Sequence, residues 1–355
     1  MSDLVKAALA TIVDGGTLSM DEACAAMGEV MDGEATPAQL SALLMGLRMR
    51  GETVDELAGF AAAMRERVVK VDAPDGAIDV VGTGGDGSGT FNISTTAALV
   101  AAAAGIPVAK HGNRAITSKS GAADVLDALG VRIDHDATSA GAALRTLGFA
   151  FLFAPNFHPA MRHAGPTRRE IGVRTAFNLL GPLTNPAGTS RGVIGVGVPE
   201  VAGKVAEVAR RLGTERTFVI HGAGLDELPL DGTGVIHDVT QGGIETLTVV
   251  PERLGLRSAP TVRLAGGDPA DNARMVEAVL RGEPGVRRDV VVLNAAAAFL
   301  VAGRVESLEE GVDRAALTID AGLAMELLDA LRVERRDAEA IAVAASSAPP
   351  GGTSS

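Results

Sequence analysis

Five glycines at positions 82, 84, 85, 87 and 89 fall within eight residues, in the run G-T-G-G-D-G-S-G-T-F-N-I-S-T that ends at Thr95. Without a Cβ, such a backbone takes positive φ and comes close to a ligand with its amides pointing inward. A short apolar run, 78–81, precedes the loop and an alanine-rich helical pattern, 95–104, follows it. Strand, glycine loop and helix N-terminus in that order make a phosphate cradle. Asp86 is the exception, because a carboxylate repels phosphate unless a sugar hydroxyl, an amine or a metal ion accompanies it. The expected ligand is therefore a phosphorylated sugar with a divalent cation. A plain glycine-rich surface turn is the alternative, and the cluster Thr90, Asn92, Ser94 and Thr95 argues against it.

Two other phosphate loops are excluded. Gly82, Gly84 and Gly87 nominally satisfy G-x-G-x-x-G, but the dinucleotide fold wants an acid about twenty residues on, where this chain has Ala101 to Ala104. A P-loop wants a lysine closing the loop, and Ser88-Gly89-Thr90 has none. A second motif, K-H-G-N-R-A-I-T-S-K-S-G, spans 110–121 after an expected strand at 106–109. Its cations, histidine, amide and hydroxyls suit a polyanion better than a bare surface loop. Both loops are expected to face one crevice.

The elements that must position them divide at about residue 72. The first part reads as helices only: Ser19 with Glu22, Thr36 with Gln39 and Thr53 with Glu56 are capping boxes, and Leu40, Leu43, Leu44 and Leu47 share one helical face. Beyond residue 73, β-prone runs at 78–81, 106–109, 131–134, 150–154, 192–198 and 217–221 alternate with helical stretches. An α/β fold follows, with a mostly parallel central sheet flanked by helices and a small helical domain ahead of it. Ligands of such sheets sit beyond the strands' carboxyl ends. Residues 235–239 and 244–249 form an expected hairpin, and the polar, Pro/Gly-rich stretch 344–355 an expected disordered tail.

Composition narrows the function. The 355 residues carry a formal net charge of -12, no Trp and no Tyr, which opposes nucleic-acid binding by bulk electrostatics or base stacking. Cys24 alone rules out an internal disulfide, and no apolar run is long enough to span a bilayer, so a cytoplasmic protein is expected. His158 and His163 are off the spacing of one helical face and read as structural.

Taken together, G-T-G-G-D with N-I-S-T, then K-H-G-N-R, H-P-A-M at 158–161, R-R-E at 168–170, N-L-L-G-P-L-T-N-P at 178–186 and Asp226-Glu227 resemble the anthranilate phosphoribosyltransferase family over roughly residues 4–335. The resemblance implies transfer from phosphoribosyl pyrophosphate to anthranilate, second step of tryptophan synthesis from chorismate, with two Mg²⁺ ions per monomer. It also implies a homodimer joined through a helical domain, 1–72, completed by mid-chain helices around 165–190, beside an α/β domain at 73–340. For the donor it implies Gly82, Gly85, Asp86, Thr90, Asn92, Ile93, Ser94, Thr95, Lys110, His111, Gly112, Asn113, Arg114, Ala115, Ile116, Thr117, Ser118 and Ala122. Position 122 is Ala where many relatives carry Ser, which removes one hydroxyl contact. For the acceptor it implies Gly82, Asn113, His111, Arg168, Gly181 and Pro182, with Arg168 on the carboxylate and Arg169 and Arg174 as alternatives nearby. Lys110, His111, Asn113 and Arg168 are the expected catalytic set. Asp226 and Glu227, hard oxygen donors in a turn after a strand, are assigned to magnesium with the Ser94 hydroxyl on a second ion. Asp86 is read as addressing a ribose hydroxyl or an ion-bound water. Two other readings stand beside this one: a pyrimidine nucleoside phosphorylase, whose lysine-to-serine turn resembles 110–118, and a nucleic-acid-binding relative of the same fold.

Overall fold

The first helices start where the sequence supplies a cap. A computed structural model describes residues 2–115 and 119–347. Helices α1 (Asp3–Val13), α2 (Met20–Met31), α3 (Pro37–Arg50) and α4 (Val54–Glu66) open the chain, and the three expected capping boxes form at α2, α3 and α4. Glu56 does more than cap: its carboxylate also accepts from Leu18 N at 3.0 Å and pairs with Arg50, tying the entry of α2 to the start of α4. Gly51 ends α3 at φ 91°.

Then come β1 (Ile78–Gly82), α5 (Ile93–Ala103), β2 (Val108–Gly112), α6 (Ala122–Ala128), α7 (Ala137–Leu147), β3 (Phe149–Phe153), α8 (Ala154–Phe157), α9 (Met161–Ile171) and α10 (Phe177–Leu180). After them follow β4 (Arg191–Gly195), α11 (Pro199–Arg211), β5 (Arg216–Gly222), β6 (Gly234–Thr240), β7 (Gly243–Val249), α12 (Pro269–Leu280), α13 (Val286–Val301), α14 (Leu308–Asp320) and α15 (Leu323–Ser347). The sheet order is β3-β2-β1-β4-β5-β6-β7; β1 to β5 run parallel, and β6 and β7 add the expected hairpin antiparallel.

Two large apolar cores sandwich the sheet, and a smaller one packs α7 and Phe157 on β2 and β3. One lies between the sheet and α5, α6 and α12 to α15, where the alanines of α5 and α13 let those helices pack closely. The other joins α1 to α4 with α9, α10 and α11 against the opposite face. Mid-chain helices thus enter the helical layer, α9 against α2 and α3, and α10 against α4.

Three expectations change. Strand β2 begins at Val108, not Ile106, because Pro107 has no amide hydrogen and Ile106 N still closes the end of α5 on Ala101 O. It continues through Lys110 and His111, which pair with Phe151 and Leu152 of β3, so these two are strand residues and not loop residues. Residues 131–134 form no strand: the carbonyl of Val131 is taken by Arg335 of α15, and Arg132 pairs with Asp134 and Glu334. At the end of the chain α15 is helical through Ser347, four residues into the expected tail; the rest of that tail lies outside the described residues.

The tightest helix pair gives a test. A Cβ on Gly59 of α4 would lie 2.7 Å from the Ala23 Cβ and 2.8 Å from the Cys24 amide of α2. Gly59→Val is expected to cost about 1–3 kcal/mol by forcing the two helices apart, read as a lower urea midpoint.

Candidate active site

The sheet changes direction at β1: the chain runs outward through β2 and β3, then returns to build β4 and β5 on the other side. Ligands of open α/β sheets bind at such a switch point. Gly82 and Gly195, the last residues of β1 and β4, are paired there. Asp226 sits directly over both, since a Cβ on Gly82 would strike its Oδ2 and a Cβ on Gly195 its main-chain oxygen. Its Oδ2 accepts from Gly84 N at 2.9 Å, which joins the acidic turn to the glycine loop.

That turn is held on two sides. Ala223 at φ 49° is the one non-glycine with positive φ among the described residues, and Leu225 N donates back to Gly222 O at 2.8 Å. From α13, buried Asn294 accepts from Leu228 N at 2.9 Å and donates to Leu228 O at 3.0 Å. A neutral amide thus fixes the backbone beside Glu227 without bringing in charge.

Asp86, Asp226 and Glu227 bring one carboxylate oxygen each to within 4.8 Å of one another. Glu227 Oε2 and Asp86 Oδ2 are buried without a hydrogen-bond partner. Burial, then Asp226 and Asp86, push the Glu227 carboxyl well above its usual range; burial and Asp86 raise Asp226. Orphaned hard oxygens whose charges repel one another fit a divalent cation, with Asp86 added to the expected pair. Gly197 permits this approach, for a Cβ there would lie 2.6 Å from the Asp86 Cβ. Ser94 stands half-buried in the first turn of α5.

In the glycine loop Gly84, Gly85, Gly87 and Gly89 all have φ between 63° and 73°, so glycine is needed for conformation. The return leg is stitched to residues 264–266: Phe91 N donates to Leu264 O and Gly266 N to Gly89 O, both at 2.9 Å, with Thr90 bridged to Ala265. Asn92 Oδ1 accepts from buried Asn272 at 2.9 Å and from Ser120 Oγ at 3.3 Å, linking both loops to α12. Ile93 and Thr95 point into the core, 0% and 1% exposed, and Ile93 N already donates to Phe91 O at 2.7 Å, so of the two only the Thr95 main-chain amide is left for a ligand.

The second loop differs most from expectation. Lys110 is buried in β2; its Nζ donates to Val80 O at 2.5 Å and does not close over the loop. Arg114 turns back to α6, pairing with Asp124 at 2.8 Å and Asp127 at 3.2 Å. Asp124 also accepts from Ala115 N and Gly121 N at 2.8 and 2.9 Å, closing the loop at its base. Asn113 is exposed, and Gly112 packs beside Ala122. Ile116, Thr117 and Ser118, expected at the donor, lie outside the described residues.

On the acceptor side Arg168, in the last turn of α9, stacks 4.6 Å over the Phe177 ring, with no carboxylate partner among the described residues. His111 Nδ1 donates to Gly181 O at 3.2 Å; Gly181 and Pro182 open the short turn Gly181–Leu183. The His111 ring lies 5.1 Å from that of His158. Burial, then His158, lower His111 to about 3, and burial lowers His158 to about 4, so both are neutral at physiological pH. Arg169 is exposed, and Arg174 donates to Gly85 O at 2.8 Å instead of standing free on a helix surface.

Comparison with known proteins settles the family. Residues 6–68 match the helical bundle domain of a glycosyl transferase family, and residues 74–325 its a/b domain. Anthranilate phosphoribosyltransferase of Xanthobacter autotrophicus is 51% identical over 327 residues, 92% of this chain and 95% of that protein. The chain belongs to the anthranilate phosphoribosyltransferase family. The crystal structure of the Thermus thermophilus member superposes with a TM-score of 0.88 at 46% identity, covering 94% of this chain and 100% of that one. The Saccharomyces cerevisiae member in complex with PRPP and Mg gives 0.87 at 27% identity, covering 95% and 99%. The same yeast protein is also known with 4-fluoroanthranilate, at a TM-score of 0.83 and 25% identity, covering 94% and 98%.

In this family member, Gly195, Gly197, Asn272 and Asn294 are site residues that the sequence reading missed. Gly195 ends β4, Gly197 follows two residues later, and both carry a faint signal; the two asparagines, on helices far along the chain, carry none.

The buried histidines make a test with a defined sign. An unfolded histidine titrates near 6.5, so below that pH the unfolded chain takes up protons that folded His111 and His158 refuse. Their contribution is complete above pH 6.5 and is lost as pH falls toward 4 and 3. Buried Asp226 and Glu227 act in the opposite sense, so the readout is a difference between variants. Between pH 7.5 and 5.5, His111→Asn is expected to lose roughly 1 kcal/mol less than the parent, measured by urea unfolding at both pH values.

Proposed function

We propose that this chain transfers the phosphoribosyl group of phosphoribosyl pyrophosphate to the amine of anthranilate and releases pyrophosphate. The observation that carries the reading is the meeting of Asp86, Asp226 and Glu227 at the switch point, beside a positive-φ glycine loop and the start of α5. Magnesium is held by Asp226 and Glu227, with Asp86 in reach and Ser94 assigned to a second ion; when bound it neutralises charge developing on the departing pyrophosphate. The loop amides and the free N–H groups of the first turn of α5 hold the donor's phosphates.

Arg168 meets the acceptor's carboxylate through its planar fork, and Phe177 beneath it fixes the plane of that fork. His111, its Nδ1 proton committed to Gly181, lines the acceptor slot as a neutral ring beside Gly181. The neutral amine forms the bond to the anomeric carbon as the bond to pyrophosphate breaks, with inversion. The resulting arylammonium is acidic enough to lose its proton to water. No strong base is therefore required.

A homodimer through the helical layer is part of the same reading; Val13 of α1, 81% exposed, and Met49 of α3, 85% exposed, leave apolar surface there. So is a cytoplasmic setting, compatible with the described residues holding no helix long and apolar enough to cross a membrane. The nucleoside phosphorylase alternative is not favoured by the family to which the chain belongs.

Loss of anthranilate fluorescence on mixing the protein with phosphoribosyl pyrophosphate, Mg²⁺ and anthranilate tests the proposal; no magnesium-dependent loss would sink it. Arg168→Gln is expected to raise the KM for anthranilate by roughly tenfold or more and by a larger factor than it raises that for the donor. The reverse pattern would exchange the two pockets.

A further inference from the structure

Arg174 has a partner that neither its sequence position nor the transfer chemistry demands. It lies just past α9, which packs on α2 and α3 in the helical layer, and it reaches the glycine loop of the sheet layer. Helix α9 ends at Gly172, in the left-handed conformation at φ 68°, which turns the chain toward the sheet. Buried Thr175 and Ala176 anchor the segment on its far side, and Thr175 N donates to Asn178 Oδ1 at 2.9 Å. Between these fixed points the Arg174 side chain extends to the Gly85 carbonyl.

The contact shapes the loop. The Arg174 guanidinium fills the space where a Cβ on Gly85 would stand, and Gly85 also has φ 69°. Gly85 thus has two independent reasons to be glycine, and one of them is Arg174. Among the described residues Arg174 has no carboxylate within ion-pair distance, so its place on the loop is not a by-product of a salt bridge; its Nη2 and Nε are left without a partner. An exposed arginine ordinarily keeps its rotamer freedom, and here a charge-assisted hydrogen bond to a main-chain oxygen offsets that loss.

We propose that Arg174 is a positioning residue that couples the two substrate sites, tying the donor's glycine loop to the helix that carries Arg168. The proposal rests on the phosphoribosyl-transfer reading of the site. A loop with glycines at 84, 85, 87 and 89 in positive φ has high entropy when untethered, and a donor that must order it binds more weakly. Fixing α9 through a carboxylate on Arg168 steadies Arg174, and through it the loop. Donor and acceptor then strengthen each other's binding, and the coupling runs equally in both directions.

Titration calorimetry of phosphoribosyl pyrophosphate with Mg²⁺, without and with saturating benzoate, tests this. Benzoate carries the acceptor's carboxylate but no amine, so no reaction intervenes. The parent protein is expected to bind the donor about fivefold or more tightly with benzoate present. Arg174→Gln is expected to weaken the donor by roughly tenfold or more and to abolish the benzoate effect, with an unchanged thermal midpoint. Arg174→Lys, which keeps a cation able to reach a carbonyl, is expected to recover part of both. Donor affinity in Arg174→Gln equal to the parent's, or a benzoate effect absent from the parent or retained in the variant, overturns the coupling alone. A parent that binds no phosphoribosyl pyrophosphate overturns the transfer reading and this proposal together.

Discussion

Folding brings three carboxylates to one point at the end of β1 and β4, and much of the surrounding architecture makes that concentration of negative charge geometrically possible. Gly82, Gly195 and Gly197 lack side chains where Asp226 and Asp86 come closest. Asn294 clamps the acidic turn from behind with a neutral amide. Buried Lys110 is the cation whose charge favours ionised Glu227, but its ammonium is fastened to the Val80 carbonyl, and burial, Asp226 and Asp86 outweigh it. Leaving a buried carboxylate oxygen without a partner costs on the order of a few kcal/mol. The fold retains two such oxygens, Asp86 Oδ2 and Glu227 Oε2, at the point where the proposed cation would bind.

The opening of the sheet between β1 and β2 serves the same end. Their ladder is paired at Ile78 and Val108 and then spreads, whereas β1 and β4 remain paired through Gly82 and Gly195. Side chains fill the gap. Lys110 takes the carbonyl of Val80, and Asp79 accepts from His111 N at 3.2 Å and from Asn185 at 2.7 Å. Burial raises the Asp79 carboxyl to about 6 against the pull of Lys110. Ionisable groups thus replace the backbone pairing found elsewhere in the sheet, and they hold the base of both loops at a fixed separation.

Local signals are legible because they are local. A capping box needs only Ser19 and Glu22, or Thr53 and Glu56, at the right spacing, and the glycine loop announces its positive φ by composition. The parallel sheet and its hairpin are legible for the same reason. What the sequence hides depends on partners remote along the chain. Strand β2 reads two residues too early because Pro107 interrupts an apolar run that otherwise looks continuous. Residues 131–134 alternate like a strand, yet an arginine from α15 claims the Val131 carbonyl. Arg114 looks like a phosphate ligand until α6 supplies Asp124 and Asp127, and Asp86 joins Asp226 and Glu227 only through loops far apart along the chain, whose strands β1 and β5 are brought to either side of β4. A motif gives residue types; it does not say which side chains are already spoken for.

The sign of the charge at the site decides how its substrates must arrive. A diphosphorylated sugar and an aromatic carboxylate are both anions, and the chain they approach has a net charge of -12 with three of its acids gathered at the switch point. Among the cations near the two loops, Lys110 is buried on Val80 and Arg114 is neutralised by α6; Arg168 and Arg174, both from the segment around the end of α9, keep donors uncommitted to any acid among the described residues. Without a divalent ion the carboxylates repel a pyrophosphate at short range in a poorly solvated cleft, against the attraction of Arg174 on the glycine loop. A divalent ion bound among them would offset two of those three negative charges. On the function proposed above, donor binding depends on that ion, and the acceptor's carboxylate meets Arg168, which lies over the Phe177 ring in the opposite layer.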